Sequence, residues 1–387
     1  MSNTKNNSLA SLLLMIITVQ LGFTHTDLDL RGSGVFPIFI LEWALFLMYL
    51  FIRKYNLKVL LTICAFMGIS LVTYLVSNSK DFMYLLMIAI IAEQMDFHYL
   101  FKVIYKTKLA VLLFVVTLSI LGILNIYERD ITKLNGVVVT GYGLGYSHPN
   151  RLGFVILSVV LSKIALLKNK IRFGDYFFCI VLCILGCIVT KSRTLLLMSC
   201  LALLLSWYVN SHQHNLKTNK RFRNILLCVF PACAIISIVF PLILAYGNGK
   251  VYDIVYSLDS MMNLRFTHIR RTLLTYPVTM FGGMHSFDLL EELYHYSTVD
   301  NGFIRLIYSF GVIGFLVFLV FTVASTYYLY KKEEFLYASI IIVMSLWGLS
   351  ENILVCFAFN VFPVFWCLLI RQAEEKEDNK KSSKSSA

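Results

Sequence analysis

Apolar runs of about 17–25 residues, parted by short polar breaks, recur along the whole chain, and runs of that length match the hydrocarbon thickness of a bilayer. They predict helices near residues 8–24, 35–52, 58–76, 82–101, 108–126, 151–167, 174–190, 194–210, 225–245, 303–330, 335–349 and 353–370. The expected fold is an all-α polytopic membrane protein with about twelve transmembrane helices. Glu93, Gln94 and Asp96 interrupt the fourth run, and only Ser350-Glu351-Asn352 parts the last two. Residues 247–302 break the pattern, because they join two spans through a polar stretch far longer than the roughly 12–15 residues at which structureless connections become uncommon. The chain therefore reads as nine helices over 1–246, a large extracytoplasmic loop over 247–302, three helices over 303–370 and a disordered cytoplasmic tail over 371–387.

Composition agrees. The 387 residues are 58% hydrophobic and 14% charged, with a mean hydropathy of +0.74. A water-soluble globule of this size cannot hide so much apolar surface. The run from Leu9 to Phe23 follows Lys5 but lacks a small-x-small cleavage site, so it is read as a retained first span. All nine cysteines lie in apolar runs, without the spacing or polar partners of a metal site, and are read as packing residues. No metal or other cofactor is expected.

Net charge is +12. Its basic residues are scattered over short loops, which points to anionic membrane lipids as partners and not to nucleic acid. Arg53/Lys54/Lys58, Lys102/Lys106/Lys108, Lys168/Lys170/Arg172, Lys217/Lys220/Arg221/Arg223 and Lys331/Lys332 occupy alternate loops. Twelve spans put all of these, both termini and the tail lysines on one side, the cytoplasmic one by the positive-inside rule. The large loop then faces outward.

Four polar clusters fall on that outward side. In Gly141-Tyr-Gly-Leu-Gly-Tyr-Ser-His148-Pro149-Asn150-Arg151, Pro149 suits a first helical turn, with Ser147 or Asn150 as cap. His148, Asn150 and Arg151 add the means to bind a ligand. Thr190-Lys191-Ser192-Arg193-Thr194 is a minimal hairpin with two cations where few are expected. Arg193 either snorkels to the interface or grips a phosphate through its planar fork. Between Asn263 and Pro277, Arg265, His268 and Arg271 share one face of an expected amphipathic helix, with Gly282-Gly283 and His285 beyond it. Headgroup attraction explains its cations as readily as a dedicated polyanion site does. Asp300-Asn301-Gly302 opens the tenth span, and Arg305 lies one turn inside. Asp300 and Asn301 suit N-caps, which leaves Arg305 unexplained. Together these clusters suit an anionic lipid headgroup such as a lipid pyrophosphate.

The same four signatures, in this order and on one side, resemble the Wzy-type O-antigen and exopolysaccharide polymerases, relatives of the O-antigen ligases. The resemblance implies a GT-C-like helical membrane fold in the bacterial plasma membrane, without a metal cofactor. It implies transfer of a growing glycan from undecaprenyl pyrophosphate onto a single lipid-linked repeat unit, alongside a flippase and a chain-length regulator of the same pathway. Arg193 and Arg265 match the arginines expected to hold the pyrophosphate, with Arg271, His148, Asn150, Arg151, Asn301 and Arg305 as further substrate contacts. Where the ligases carry a His-Asn pair, this chain has Asp300-Asn301, so Asp300 is the first candidate base and His285 the second. A ligase-like glycan transferase and a flippase or transporter for the same lipid are the competing readings, followed by a structural or sensory membrane protein.

Overall fold

The computed structural model describes residues 2–28, 36–132, 138–283, 287–296 and 298–385, with side chains omitted at 2–7, 36, 132, 169 and 378–385. The protein is a helical membrane protein. Its helices are α1 (Ser2–Gly22), α2 (Phe36–Arg53), α3 (Leu57–Ser77), α4 (Asp81–Ala92), α5 (Phe97–Ile120), α6 (Pro149–Leu167), α7 (Phe173–Thr190), α8 (Arg193–Leu216), α9 (Lys220–Tyr246), α10 (Gly249–Met261), α11 (Arg265–Thr275), α12 (Asp288–Tyr294), α13 (Gly302–Lys331), α14 (Phe335–Ser350) and α15 (Cys367–Ser385). An antiparallel hairpin, β1 (Glu128–Thr132) and β2 (Val138–Tyr142), lies between α5 and α6. Among the described residues seven helices are long and apolar enough to span a bilayer: α3, α5, α6, α7, α8, α9 and α13. That replaces the expected count of twelve; Ser8–Gly22, α4 and α14 are shorter apolar helices.

Lipid exposure follows the sequence pattern. On α7, Phe173, Leu185 and Ile188 are exposed, whereas Cys179, Cys183, Gly186 and Thr190 face the protein. Small side chains at helical spacing let neighbouring helices approach closely, which is the packing role expected of these cysteines.

The expected boundaries fail where polar residues meet apolar runs. The fourth helix stops at Ala92, and α5 restarts at Phe97 with Asp96 capping it through His98 N and Tyr99 N. Lys102, Lys106 and Lys108 therefore lie within α5 and not in a loop. The twelfth expected span is also absent: residues 351–361 are irregular, a short 3-10 turn covers Phe362–Trp366, and nearly all of this segment is buried. Non-helical backbone at membrane depth is tolerated only when protein satisfies its polar groups. Lys108 does that here, donating to Phe357 O at 2.7 Å, Ala358 O at 3.1 Å and Ser158 Oγ at 2.7 Å. Asn360 Nδ2 bonds Leu354 O at 2.9 Å. Lys108→Met should strand these acceptors at about 1–3 kcal/mol for each buried group left unpaired. The expected result is a lower unfolding temperature in detergent and less protein in the membrane.

The two ends of the bundle differ. At one end, short basic loops are tied by Arg53–Glu93 (3.2 Å), Lys168–Glu334 (2.7 Å) and Lys217–Glu333 (2.5 Å). The tail, expected to be disordered, continues as α15. Arg371 donates to Ala92, Glu93 and Met95 carbonyls, and Glu374 and Glu377 bond Asn56 N and Lys58 Nζ. The opposite end carries the β-hairpin, the α7–α8 turn and the 247–302 segment. That segment is largely α10–α12, not a structureless loop.

Candidate functional site

Five stretches converge at the hairpin end. β2 packs against the α7–α8 turn so closely that a Cβ on Gly141 would collide with the Thr190 carbonyl, which explains a glycine there. His148 itself, and neither Ser147 nor Asn150, caps α6, its Nδ1 accepting from Asn150 N at 3.0 Å. The α7–α8 turn needs only Lys191 and Ser192: Lys191 takes a left-handed conformation and Ser192 Oγ caps α8. Arg193 thereby becomes the first residue of α8.

A buried carboxylate sets α11. Asp259, at 0% exposure in α10, accepts from Phe266 N (2.6 Å), Thr267 N (3.1 Å) and Thr267 Oγ1 (2.6 Å). Asn263 and Leu264 both have positive φ, at 57° and 58°. Such a conformation is strained for a residue like leucine, and strain of this kind clusters at functional sites. Phe266, Ile269 and Thr272 form the packed face, while Leu264 and Leu274 are exposed. α11 thus packs on protein through one face and is not simply afloat on lipid.

Gly311 interrupts α13 with φ 73°, and a Cβ there would strike Met280 O and Gly282 N. Ile313 N donates to Met280 O at 3.1 Å, and Gly283 N donates to Tyr308 O at 3.1 Å. The segment pressed against Gly311 is a loop and not a neighbouring helix.

The central contacts are ionic. Arg265 Nη2 donates to Glu351 Oε1 at 2.9 Å, and Arg265 Nη1 lies 3.5 Å from Asp300 Oδ2. Thr194 Oγ1 donates to the same Glu351 oxygen at 3.1 Å. Tyr296 Oη donates to Asp300 Oδ2 at 2.5 Å, and its ring stacks on His268 with centroids 3.8 Å apart. Side-chain exposure falls from 36% at Asp300 through 15% at Arg265 to 3% at Glu351. Next to them a cavity of about 180 Å³ is lined by Arg129 and Asp130 of β1, His148 and Asn150 of α6, and Lys191 and Arg193 of the turn; Thr194, Asn263, Arg265 and Glu351 complete it. Arg193 is exposed and makes no ion pair or hydrogen bond among the described residues. Arg265 Nη1 likewise makes no hydrogen bond among them.

Of the residues expected at a site, Arg193, Arg265, His148 and Asn150 share this cavity, and Asp300 touches it through Arg265. The others are not part of its wall. Asn301 is buried, with Nδ2 donating to Ser237 Oγ and Leu349 O and Oδ1 capping α13 at Ile304 N, so its amide serves the fold. Arg305 lies over the Phe287 ring at 5.2 Å and Arg271 over Tyr294 at 4.6 Å. Arg151 stacks between Phe154 and Phe359 at 5.4 and 5.5 Å. His285 lies outside the described residues. Among those described, no cluster of three metal-ligating side chains occurs.

Glu351, Arg129, Asp130 and Asn263 were not expected. Glu351 carried a signal, being the sole acidic residue between Glu334 and Glu374 in an otherwise apolar stretch. The hairpin that brings in Arg129 and Asp130 had none.

Burial and the nearby Arg129 and Arg151 hold the His148 imidazole down at about 4, against an opposing pull from Asp300. Its capping bond to Asn150 N also requires an unprotonated Nδ1. The sign follows: as pH falls from about 6.5 towards about 4, the unfolded chain takes up a proton that the folded His148 refuses, and stability declines. Replacing His148 by asparagine, which keeps a capping acceptor, should flatten thermal stability over that window.

No protein family, curated protein or solved structure matches this chain.

Proposed function

We propose that this protein is a glycosyltransferase of the Wzy polymerase type. It transfers a growing glycan from undecaprenyl pyrophosphate onto a lipid-linked repeat unit, at the outer face of the bacterial plasma membrane. The supporting observation is that Arg193 and Arg265, from stretches far apart in sequence, line one cavity at the end of the bundle away from the basic loops. A diphosphate is the ligand such a cavity favours, since guanidinium forks bind its oxygens and the cations outnumber the carboxylates there. With the basic loops cytoplasmic, the cavity opens outward.

The reaction asks little covalent chemistry of the protein. An acceptor hydroxyl attacks the anomeric carbon of the donor sugar, and the bond to the lipid pyrophosphate breaks. Arg193 and Arg265 stabilise the charge gathering on the leaving group, usually the largest catalytic contribution. Anchoring both lipids in one membrane holds the reactants together. A nearby carboxylate takes the hydroxyl proton.

Purified protein given lipid-pyrophosphate repeat units should produce a ladder of longer lipid-linked glycans. A single transfer to a different acceptor, without a ladder, would favour the ligase reading. Movement of intact substrate across a vesicle membrane would favour the flippase reading, although transporters place their sites near the midplane and this cavity lies at one end.

A further inference from the structure

Resting on that polymerase reading, we propose that Glu351 is the general base, accepting the proton of the acceptor sugar's hydroxyl, and that Asp300 orients Arg265. Glu351 follows the last residue of α14, outside the apolar helix, and lines the cavity directly. Both of its protein donors, Thr194 Oγ1 and Arg265 Nη2, fall on Oε1. Among the described residues none donates to Oε2, and that oxygen is not among the sealed, partnerless atoms. One oxygen is thus fixed by the protein while the other is open to a ligand.

Asp300 is arranged differently. Its Oδ2 receives the Tyr296 hydroxyl at 2.5 Å and faces Arg265 Nη1 at 3.5 Å, and Asp300 is absent from the cavity wall. Of the other proton acceptors on that wall, His148 has Nδ1 engaged by the α6 backbone, and Asp130 is an exposed hairpin residue whose Oδ1 accepts from Thr140 Oγ1 at 2.8 Å. The geometry leaves Glu351 as the carboxylate beside the arginine that holds the leaving group.

The step balances. The acceptor oxygen forms a bond to the anomeric carbon, the bond from that carbon to the pyrophosphate oxygen breaks, and the electron pair leaves with the lipid pyrophosphate. The hydroxyl proton moves to Glu351 Oε2 and later to water. Burial raises the Glu351 carboxyl above the ordinary carboxylate range; Arg265 and Arg151 pull it down, and Asp300 pushes it further up. Arg129, Asp130, His148, Lys191 and Arg193 are the remaining charged or titratable groups facing the cavity. A base placed this way must be deprotonated to act, so activity falls as pH drops through its titration.

The experiment compares wild type, Glu351→Gln, Glu351→Asp and Asp300→Asn, purified in nanodiscs. Elongation of lipid-linked repeat units is followed against pH, and binding of undecaprenyl pyrophosphate is measured separately. Glu351→Gln should bind the lipid within about threefold of wild type yet lose roughly 100-fold or more in kcat, the scale of a general base. Glu351→Asp should restore part of that loss. Asp300→Asn should keep measurable transfer with its acid limb moved to lower pH, because the charge that raises Glu351 is gone. Glu351→Gln working within threefold of wild type would overturn the assignment, as would an acid limb unmoved in Asp300→Asn. Should Glu351→Gln fail to accumulate, the position of that limb decides the matter. Wild-type protein that neither binds the lipid nor elongates would remove the polymerase reading and this assignment with it.

Discussion

Arg265→Ala is expected to abolish polymer formation and to weaken the protein as well. Its guanidinium lies between Glu351 at 2.9 Å and Asp300 at 3.5 Å. Removing it leaves a carboxylate buried to 3% exposure beside a second acidic group. Breaking one side of a buried pair costs about 3–5 kcal/mol. Loss of a cation aimed at developing charge costs on the order of 10²–10³-fold in rate. Both losses should be visible, the first as a lower unfolding temperature in detergent and the second as absent elongation. Arg265→Lys keeps the charge but loses the planar fork. It should recover much of the stability and little of the transfer.

Arg193→Ala should separate these two effects. Arg193 projects from the first turn of α8, exposed and without an ion pair or hydrogen bond among the described residues. Its removal should leave stability within about 0.5 kcal/mol of wild type, as for other unpartnered surface positions. Transfer should nevertheless fall on the order of 10²-fold or more, because the cavity loses a cation with no competing partner. Equal activity in Arg193→Ala and wild type would leave that side chain as an interfacial anchor.

These variants rest on features that differ in how far the sequence revealed them. Apolar run length announced α3, α6, α7 and α13 to within two residues at each end, since a bilayer-spanning helix needs little beyond a long apolar stretch. The same signal misled at 82–126 and 351–370. At the first, Asp96 caps a new helix and moves the boundary eleven residues upstream of the expected start at 108. At the second, an apolar stretch is folded irregularly inside the protein, stabilised by a lysine 249 positions away in the chain. Hydropathy cannot distinguish an apolar helix facing lipid from an apolar segment buried in protein.

The site was legible in part. Arg193, Arg265 and His148 stood out as charges or imidazole at the wrong side of an apolar run. Their shared cavity depends on tertiary packing of α6, α8 and α11, which a single sequence does not encode locally. Asn301 looked equally promising and proved to be an N-cap, the commoner use of asparagine at a helix mouth. Glu351 was visible as a lone acid in an apolar stretch, but its role emerges only when Arg265 and Thr194 are seen to meet it.

The most direct measurement is a high-resolution structure of the protein in a nanodisc with undecaprenyl pyrophosphate bound. The account predicts both phosphates in the cavity between Arg193 and Arg265, with the polyprenyl tail leaving towards the bilayer. Phosphates held at the opposite end, among the basic loops of Arg53, Lys168 and Lys217, would contradict it.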